Sequence, residues 1–209
     1  MASLPEVYLA RHGETAWTLT GQHTGRTDIP LTARGERNAQ SLAQRLTGVV
    51  FARVLTSPLS RALRTCALAG FGGQAEIDAD LQEWDYGQYE GRRTADIRQE
   101  RPGWDLFRDG CPGGESVEGV GARADRVLAR LREVEGNVVV FSHGHFLRVL
   151  AARWLDLTAG AARHFVLSTA ALSILGYEHT RDEPALRLWN DNRHAVEAHR
   201  EPMEERGTL

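Results

Sequence analysis

Two short strings place an imidazole beside glycine where an apolar run stops. Val7-Tyr8-Leu9-Ala10 ends in Arg11-His12-Gly13, and the run "NVVVFS" at 137–142 leads into His143-Gly144-His145. A third run, "FARVLT" at 51–56, leads into Ser57 and then Arg61 and Arg64. A neutral imidazole is a competent nucleophile. Guanidinium groups carry a permanent charge and a planar fork that matches phosphate oxygens. Helices starting after Ser57 and Ser142 would add N–H donors and a favourable dipole. Gly13 and Gly144 leave room for a close ligand. Singly these features are weak, because a lone histidine usually finds a local polar partner and a lone arginine is usually solvated. Jointly they point to a phosphate site, at which a phosphoryl group on ring nitrogen is labile enough to pass to water.

The elements that must position these residues follow from periodicity. Strands are expected at 6–10, 51–56, 75–81, 137–142, 170–177 and 185–190. Helices are expected at 32–46, where Ala39, Leu42, Ala43 and Leu46 share a face, and at 57–71, with Ser57 as N-cap and Pro58 in the first turn. Another spans 116–135, with Val120, Ala124, Val127, Leu128 and Leu131 as its stripe and Gly136 as its stop. A last one follows at 144–155. The stretch from Gln82 to Gly114 is irregular, with short helices near 94–100 and 104–108. Strand and helix alternate, which predicts an α/β three-layer sandwich: a mostly parallel central sheet with helices on both faces. Such sheets bind ligands at the carboxyl ends of their strands, so the three strand ends are expected to share one edge.

The 209 residues suit a single domain over 1–209, with a charged C-terminal tail from about Arg193. A net charge of −3 gives no whole-chain attraction to nucleic acid. Cys66 and Cys111 form no CxxC pair, and two cysteines are too few for a disulfide framework, so a cytoplasmic setting is expected. "MASLPE" has no signal-peptide pattern, and no apolar stretch is long enough to span a membrane.

The segments "LARHGETAW", "TGRTDIPLTARG", "LTSPLSRALRT", "LQEWDYGQYEG", "GGES" and "FSHGHFLRVL" resemble, in order, those of the histidine phosphatase superfamily in its phosphoglycerate mutase-like branch. They span roughly residues 7–155. The resemblance implies a phosphoglycerate mutase-like fold, with no metal and no cofactor. It implies that His12 is the nucleophile that becomes phosphorylated, that Arg11 and Arg61 hold the phosphoryl oxygens, and that His143 stabilises the transition state. Glu83 would be the proton donor and acceptor, while Thr24 and Gly25 would touch the substrate phosphate. One departure is Thr18, where the family often has Asn; a hydroxyl there can still donate one bond. His12 must be neutral to attack, whereas His143 is expected to work charged.

The chain lacks the inserted basic segment usual in cofactor-dependent phosphoglycerate mutases. Its 84–115 stretch looks like that of small phosphatases, including sugar-bisphosphatase-like members, and reads as a cap. Trp84, Tyr86, Trp104 and Phe107 would wall the site or simply pack the segment. Arg92, Arg93, Arg98, Arg101 and Arg108 would reach a second phosphate or be solvated. With Tyr86 and Gly144 added to the substrate contacts, the expectation is a metal-independent phosphomonoesterase acting on a small phosphorylated metabolite, sugar phosphates or bisphosphates being favoured. A homodimer is compatible with this. The competing readings are phosphoglycerate mutase activity, a non-catalytic phosphate-binding module, and a metallohydrolase built on His143, His145 and an acidic residue. His145 is otherwise expected to pack at its helix start or orient the site.

Overall fold

The structure, a computed structural model, describes residues 4–197. In chain order the elements are β1 (Val7–Arg11), α1 (Ala16–Thr20), α2 (Ala33–Leu46), β2 (Phe51–Thr56), α3 (Ser60–Leu68), β3 (Glu76–Ile77), α4 (Thr94–Glu100), α5 (Leu106–Asp109), α6 (Val117–Arg132), β4 (Asn137–Ser142), α7 (Gly144–Trp154), β5 (Leu172–Tyr177), β6 (Pro184–Asp191) and α8 (Arg193–Glu197). Short 3-10 turns lie at Ala79–Leu81, Gly87–Tyr89 and Ala159–His164.

One six-stranded sheet runs in the order β3-β2-β4-β1-β5-β6. The β3-β2, β2-β4 and β4-β1 pairings are parallel; β5 runs against its neighbours β1 and β6. The apolar run of β4 explains its central place. Val138, Val139, Val140 and Phe141 are all buried, which requires cover on both faces. Val138 and Val140 join Val7, Leu9 and Leu55 against α6 and α7. Val139 and Phe141 join Tyr8, Ala10 and Val54 against α2 and α3. Strand alternation thus divides the core into two layers around the sheet. No helix among the described residues is long and apolar enough to cross a membrane.

The helices start where short polar side chains take up their first N–H groups. Thr32 accepts from Gly35 N at 3.0 Å, and Ser116 accepts from Gly119 N at 3.0 Å. The α6 stripe is buried, but the helix stops at Arg132, and Gly136 (φ 121°) turns the chain into β4. Ser57 does not cap α3: that helix starts at Ser60 behind Leu59, which makes no side-chain cap bond. Only two residues of the strand expected at 75–81 pair with the sheet, because Asp78 accepts from Asp80 N at 2.9 Å and bends the chain into a 3-10 turn. At the other end of the chain, α8 holds Ala195 and His194 in buried positions, and the rest of the expected tail lies outside the described residues.

The register decides what meets at the sheet edge. Arg11 pairs with Ser142, and Thr56 pairs with Phe141. The carboxyl ends of β2, β4 and β1 are therefore level, and His12, Ser57 and His143 follow them side by side.

Candidate active site

His12 is held by its backbone from two directions. Its N–H donates to Ser142 O at 3.0 Å, and its carbonyl accepts from Ala170 N at 3.0 Å. Its Nδ1 lies 2.7 Å from Gly13 O. A carbonyl only accepts, so Nδ1 carries the proton and Nε2 keeps its lone pair. The ring is 3% exposed and lines a cavity of about 230 Å³. Burial, followed by the charges of Arg11 and Arg61, holds the imidazole well below its ordinary titration range. The ring is therefore neutral and has one unprotonated nitrogen available, the state a nucleophile needs.

Arg11 continues β1 into the same cavity, with Nη1 donating to Leu167 O and Nε buried without a partner. Arg61 is fully buried. Its Nη1 donates to Thr27 O at 3.0 Å, and its Nη2 donates to Thr24 O at 3.1 Å and Gly25 O at 2.7 Å. Its Nε is also without a partner. Most of this guanidinium is spent on the 24–27 loop, and Arg61 itself is not among the cavity-lining residues. Burial lowers both arginines from their ordinary values.

His143 is fully buried, and its ring centroid lies 5.2 Å from that of His12. Its Nε2 lies 2.7 Å from Ser57 Oγ, which also accepts from Leu59 N at 3.3 Å. Ser57 Oγ and His143 Nε2 share one proton between them, supplied by the hydroxyl or by the ring, and His143 Nδ1 is buried without a partner. Burial, then Arg61, His12 and Arg11, keep His143 well below the ordinary imidazole value. The charged His143 expected from sequence is thus a neutral ring in the free protein.

Glu83 sits at the start of α7. Oε1 accepts from Phe146 N at 2.8 Å and Trp84 N at 2.9 Å; Oε2 accepts from His145 N at 3.0 Å. A carboxylate there takes up the orphan N–H groups of the helix end and meets its positive dipole. The loop that delivers it is clamped by Arg123, which donates to Asp80 O at 2.9 Å and Gln82 O at 2.6 Å and pairs with Glu115 at 2.6 Å. Nothing in the α6 periodicity distinguishes Arg123 from a solvated helix arginine.

The glycines make room for protein atoms. A Cβ on Gly13 would fall 2.4 Å from Gly35 O, where the first turn of α2 meets the loop after β1. A Cβ on Gly144 would fall 3.1 Å from Cζ and Nε of Arg11. Gly144 therefore admits the guanidinium, and through it the site. Thr18 lines the cavity, but its hydroxyl donates to Thr15 O at 2.9 Å and accepts from Thr15 N, closing a capping box on α1. Its proton is already used. Thr24 lines the cavity, and Gly25 N donates to Glu90 Oε1 at 2.9 Å.

Tyr86 lines the cavity and bonds His145 Nδ1 through its hydroxyl; Trp84 packs in the main core, and Trp104 and Phe107 pack there too while lining a smaller neighbouring cavity. Arg92, Arg93 and Arg108 pair outward with Glu100, Asp96 and Asp109. Six further lining residues were not singled out from the sequence, among them His23, Thr94 and Arg148. His23 stacks 4.7 Å from Tyr86, and burial holds its ring down to about 4. The neighbouring "HTGRT" letters are its signal, but histidine in a loop carries no period. Among the described residues no group of three or more His, Cys, Asp or Glu is placed to hold a metal ion, and His143 and His145 are each bonded elsewhere.

A neutral imidazole among buried guanidinium groups at the carboxyl edge of such a sheet is machinery for phosphate esters, and the class is that of the phosphatases. The chain belongs to the histidine phosphatase superfamily, whose branch 1 sequence model matches residues 7–192. It is 43% identical to an acid phosphatase of Mycobacterium tuberculosis, over 82% of this chain and 86% of that one. It is 32% identical to sedoheptulose 1,7-bisphosphatase of Saccharomyces cerevisiae, over 88% and 92%. It is also 32% identical to a probable phosphoglycerate mutase of Salmonella choleraesuis, over 84% and 86%. The solved structure of an open reading frame product of Mycobacterium tuberculosis superposes with a TM-score of 0.84 at 38% identity, covering 89% of this chain and 97% of that one. The chain is therefore an enzyme of the histidine phosphatase type.

Proposed function

We propose that the protein hydrolyses small phosphorylated metabolites, sugar phosphates or bisphosphates above all, by passing the phosphoryl group through His12. The observation that carries this reading is a set of buried polar atoms without partners, the donors Arg11 Nε and Arg61 Nε and the ring nitrogen His143 Nδ1, on the three groups whose charges or rings act on His12. A tetrahedral dianion on His12 would meet Arg11 directly, since Arg11 lines the cavity, and would draw on Arg61 and His143, which lie outside that lining. In the substrate complex Oε2 of Glu83 carries a proton drawn from solvent. Nε2 of His12 attacks phosphorus, the P–O ester bond breaks, and the leaving alkoxide takes that proton, leaving Glu83 as the carboxylate that serves the next step. Water then attacks the phosphohistidine, Glu83 takes its proton, the P–N bond breaks and inorganic phosphate leaves. Oε2 of Glu83 is the oxygen for this work, since it accepts one N–H bond where Oε1 accepts two. Such acid–base help is worth ~10²–10⁴-fold. The incoming dianion also favours a charged His143, so the ring neutral in the free enzyme gains its proton as phosphate binds. Residues 84–115 act as the cap, contributing Tyr86 and Thr94 to the cavity wall.

The test is phosphoryl trapping. Wild-type protein quenched in alkaline detergent is expected to carry label from a radiolabelled phosphomonoester on a base-stable, acid-labile bond, and His12→Ala is expected to carry none. Hydrolysis with EDTA present should proceed at the same rate. The Salmonella relative's name favours a second reading, a mutase; exclusive interconversion of 2- and 3-phosphoglycerate without phosphate release would select it.

A further inference from the structure

The reaction accounts for Arg11, Arg61, His12, His143 and Glu83, but leaves one cavity-lining guanidinium without a task. Arg148, on the second turn of α7, is half-buried and lines the cavity together with His12 and Glu83. Its plane lies over the Phe107 ring at 4.4 Å. Nε donates to Ala162 O at 3.2 Å and Nη2 to Arg163 O at 3.3 Å, so the fork is held in place by backbone. No carboxylate among the described residues pairs with it, whereas its neighbour Arg163 is neutralised by Asp105 at 2.9 Å. Arg148 also lines a smaller cavity of about 160 Å³, which shares His23, Thr94 and His145 with the first. There it is joined by Arg98, which donates Nε to Trp104 O at 2.9 Å and has no carboxylate partner among the described residues. The two cavities adjoin through these shared residues, and the nucleophile lines the first. In the second, Arg148 and Arg98 make no ion pair beside the Arg163–Asp105 pair, whose carboxylate and that of Glu83 act on Arg148 only at longer range.

Resting on the phosphatase reading above, we propose that Arg148, with Arg98 beyond it, is a second anion subsite that selects substrates carrying another phosphate or carboxylate apart from the scissile group. A guanidinium kept partly from water without a counter-ion is costly unless a ligand supplies the charge. Burial lowers Arg148 to about 10, in keeping with that cost. Along the two cavities the wall includes His23, His145 and Tyr86, all held uncharged at neutral pH, so none of these three competes for the anion. The fork geometry suits either anion, and the subsite acts on binding, not on the reacting bonds.

The experiment compares kcat/KM for three probes: fructose 1,6-bisphosphate, 3-phosphoglycerate and glycerol 3-phosphate, whose far end is uncharged. Wild type is expected to favour at least one of the first two over the third. Arg148→Met should lower that ratio by about 10- to 100-fold, mainly through KM, the loss expected for a charge-assisted contact. The probe that loses more identifies the anion as phosphate or carboxylate. Arg98→Met should lower the ratio less, and Arg148→Lys should recover part of it. Because Arg148 also braces Phe107, Arg98→Met and Arg148→Lys carry the test if Arg148→Met does not fold. An equal loss on all three probes, or an unchanged ratio in the Arg98→Met and Arg148→Lys pair, refutes the subsite while leaving the phosphatase reading intact. A wild type that cleaves none of the probes, nor p-nitrophenyl phosphate, removes both.

Discussion

Replacing Glu83 by glutamine separates its two duties, capping α7 and moving a proton. The carboxylate accepts three N–H bonds, two on Oε1 and one on Oε2. An amide has one acceptor oxygen, so at best it keeps the pair at Oε1 and turns its NH₂ towards His145 N–H. One charge-assisted bond is lost, worth about 1.5–3 kcal/mol. The anion at the helix N-terminus is lost too, worth about 0.3–2 kcal/mol. Glu83 is 6% exposed, so solvent offers little compensation. Together these put the destabilisation at about 2–5 kcal/mol, or roughly 4–20 °C in Tm for a chain of this size. The chemical loss depends on the leaving group. With an alkyl phosphate, kcat/KM should fall by ~10²–10⁴-fold, because the alkoxide has no proton donor. With p-nitrophenyl phosphate the phenolate leaves unaided and kcat/KM should fall much less. Hydrolysis of the phosphohistidine still lacks its base, so stopped-flow traces should show a nitrophenolate burst matching the enzyme concentration. Equal losses on both substrates with no burst would sink the proton-transfer role. An unchanged Tm would sink the capping argument.

Acid should unfold the protein through its buried imidazoles. His12, His143 and His145 are held well below the ordinary value of 6.5, and His23 is held to about 4. In each case the folded state refuses a proton that the unfolded chain binds, so stability is full above about pH 6.5 and declines as pH falls through it. His23 alone contributes about 3 kcal/mol, lost progressively between those two values. Urea midpoints measured across this range are expected to drop, with a shallower slope in His23→Gln; a flat profile rejects the assignment. Gly144→Ala should test the packing of Arg11, since its Cβ would lie 3.1 Å from the guanidinium carbon. Displacing Arg11 is expected to lower kcat/KM by about 10²-fold with little change in Tm, and a variant of wild-type activity would show that Arg11 needs no such room.

Much of the architecture is legible in the residues alone. The stripes of α2 and α6, the doubly covered β4 and the strand-helix alternation are local patterns, and they identify the sheet and its active edge. Even so, Ser57 reads as an N-cap because Ser-Pro before an apolar stripe has that form. Its hydroxyl instead serves His143, 86 residues away. Asp78 shortens a strand that its apolar neighbours suggest, because its carboxylate captures an N–H two residues on.

By itself, the order of amino acids determined which segments are buried, on which face, and that two His-Gly pairs and an arginine-bearing turn end on one sheet edge. That much is encoded by period and residue type, which are properties of each segment alone. The tertiary structure decided where each polar atom's bond goes: Gly13 against Gly35, Gly144 against Arg11, Arg61 onto the 24–27 loop, His23 and Arg148 into the cleft. Those partners come from distant parts of the chain. A donor's choice between a carbonyl and a ligand depends on what the packing brings within about 3 Å.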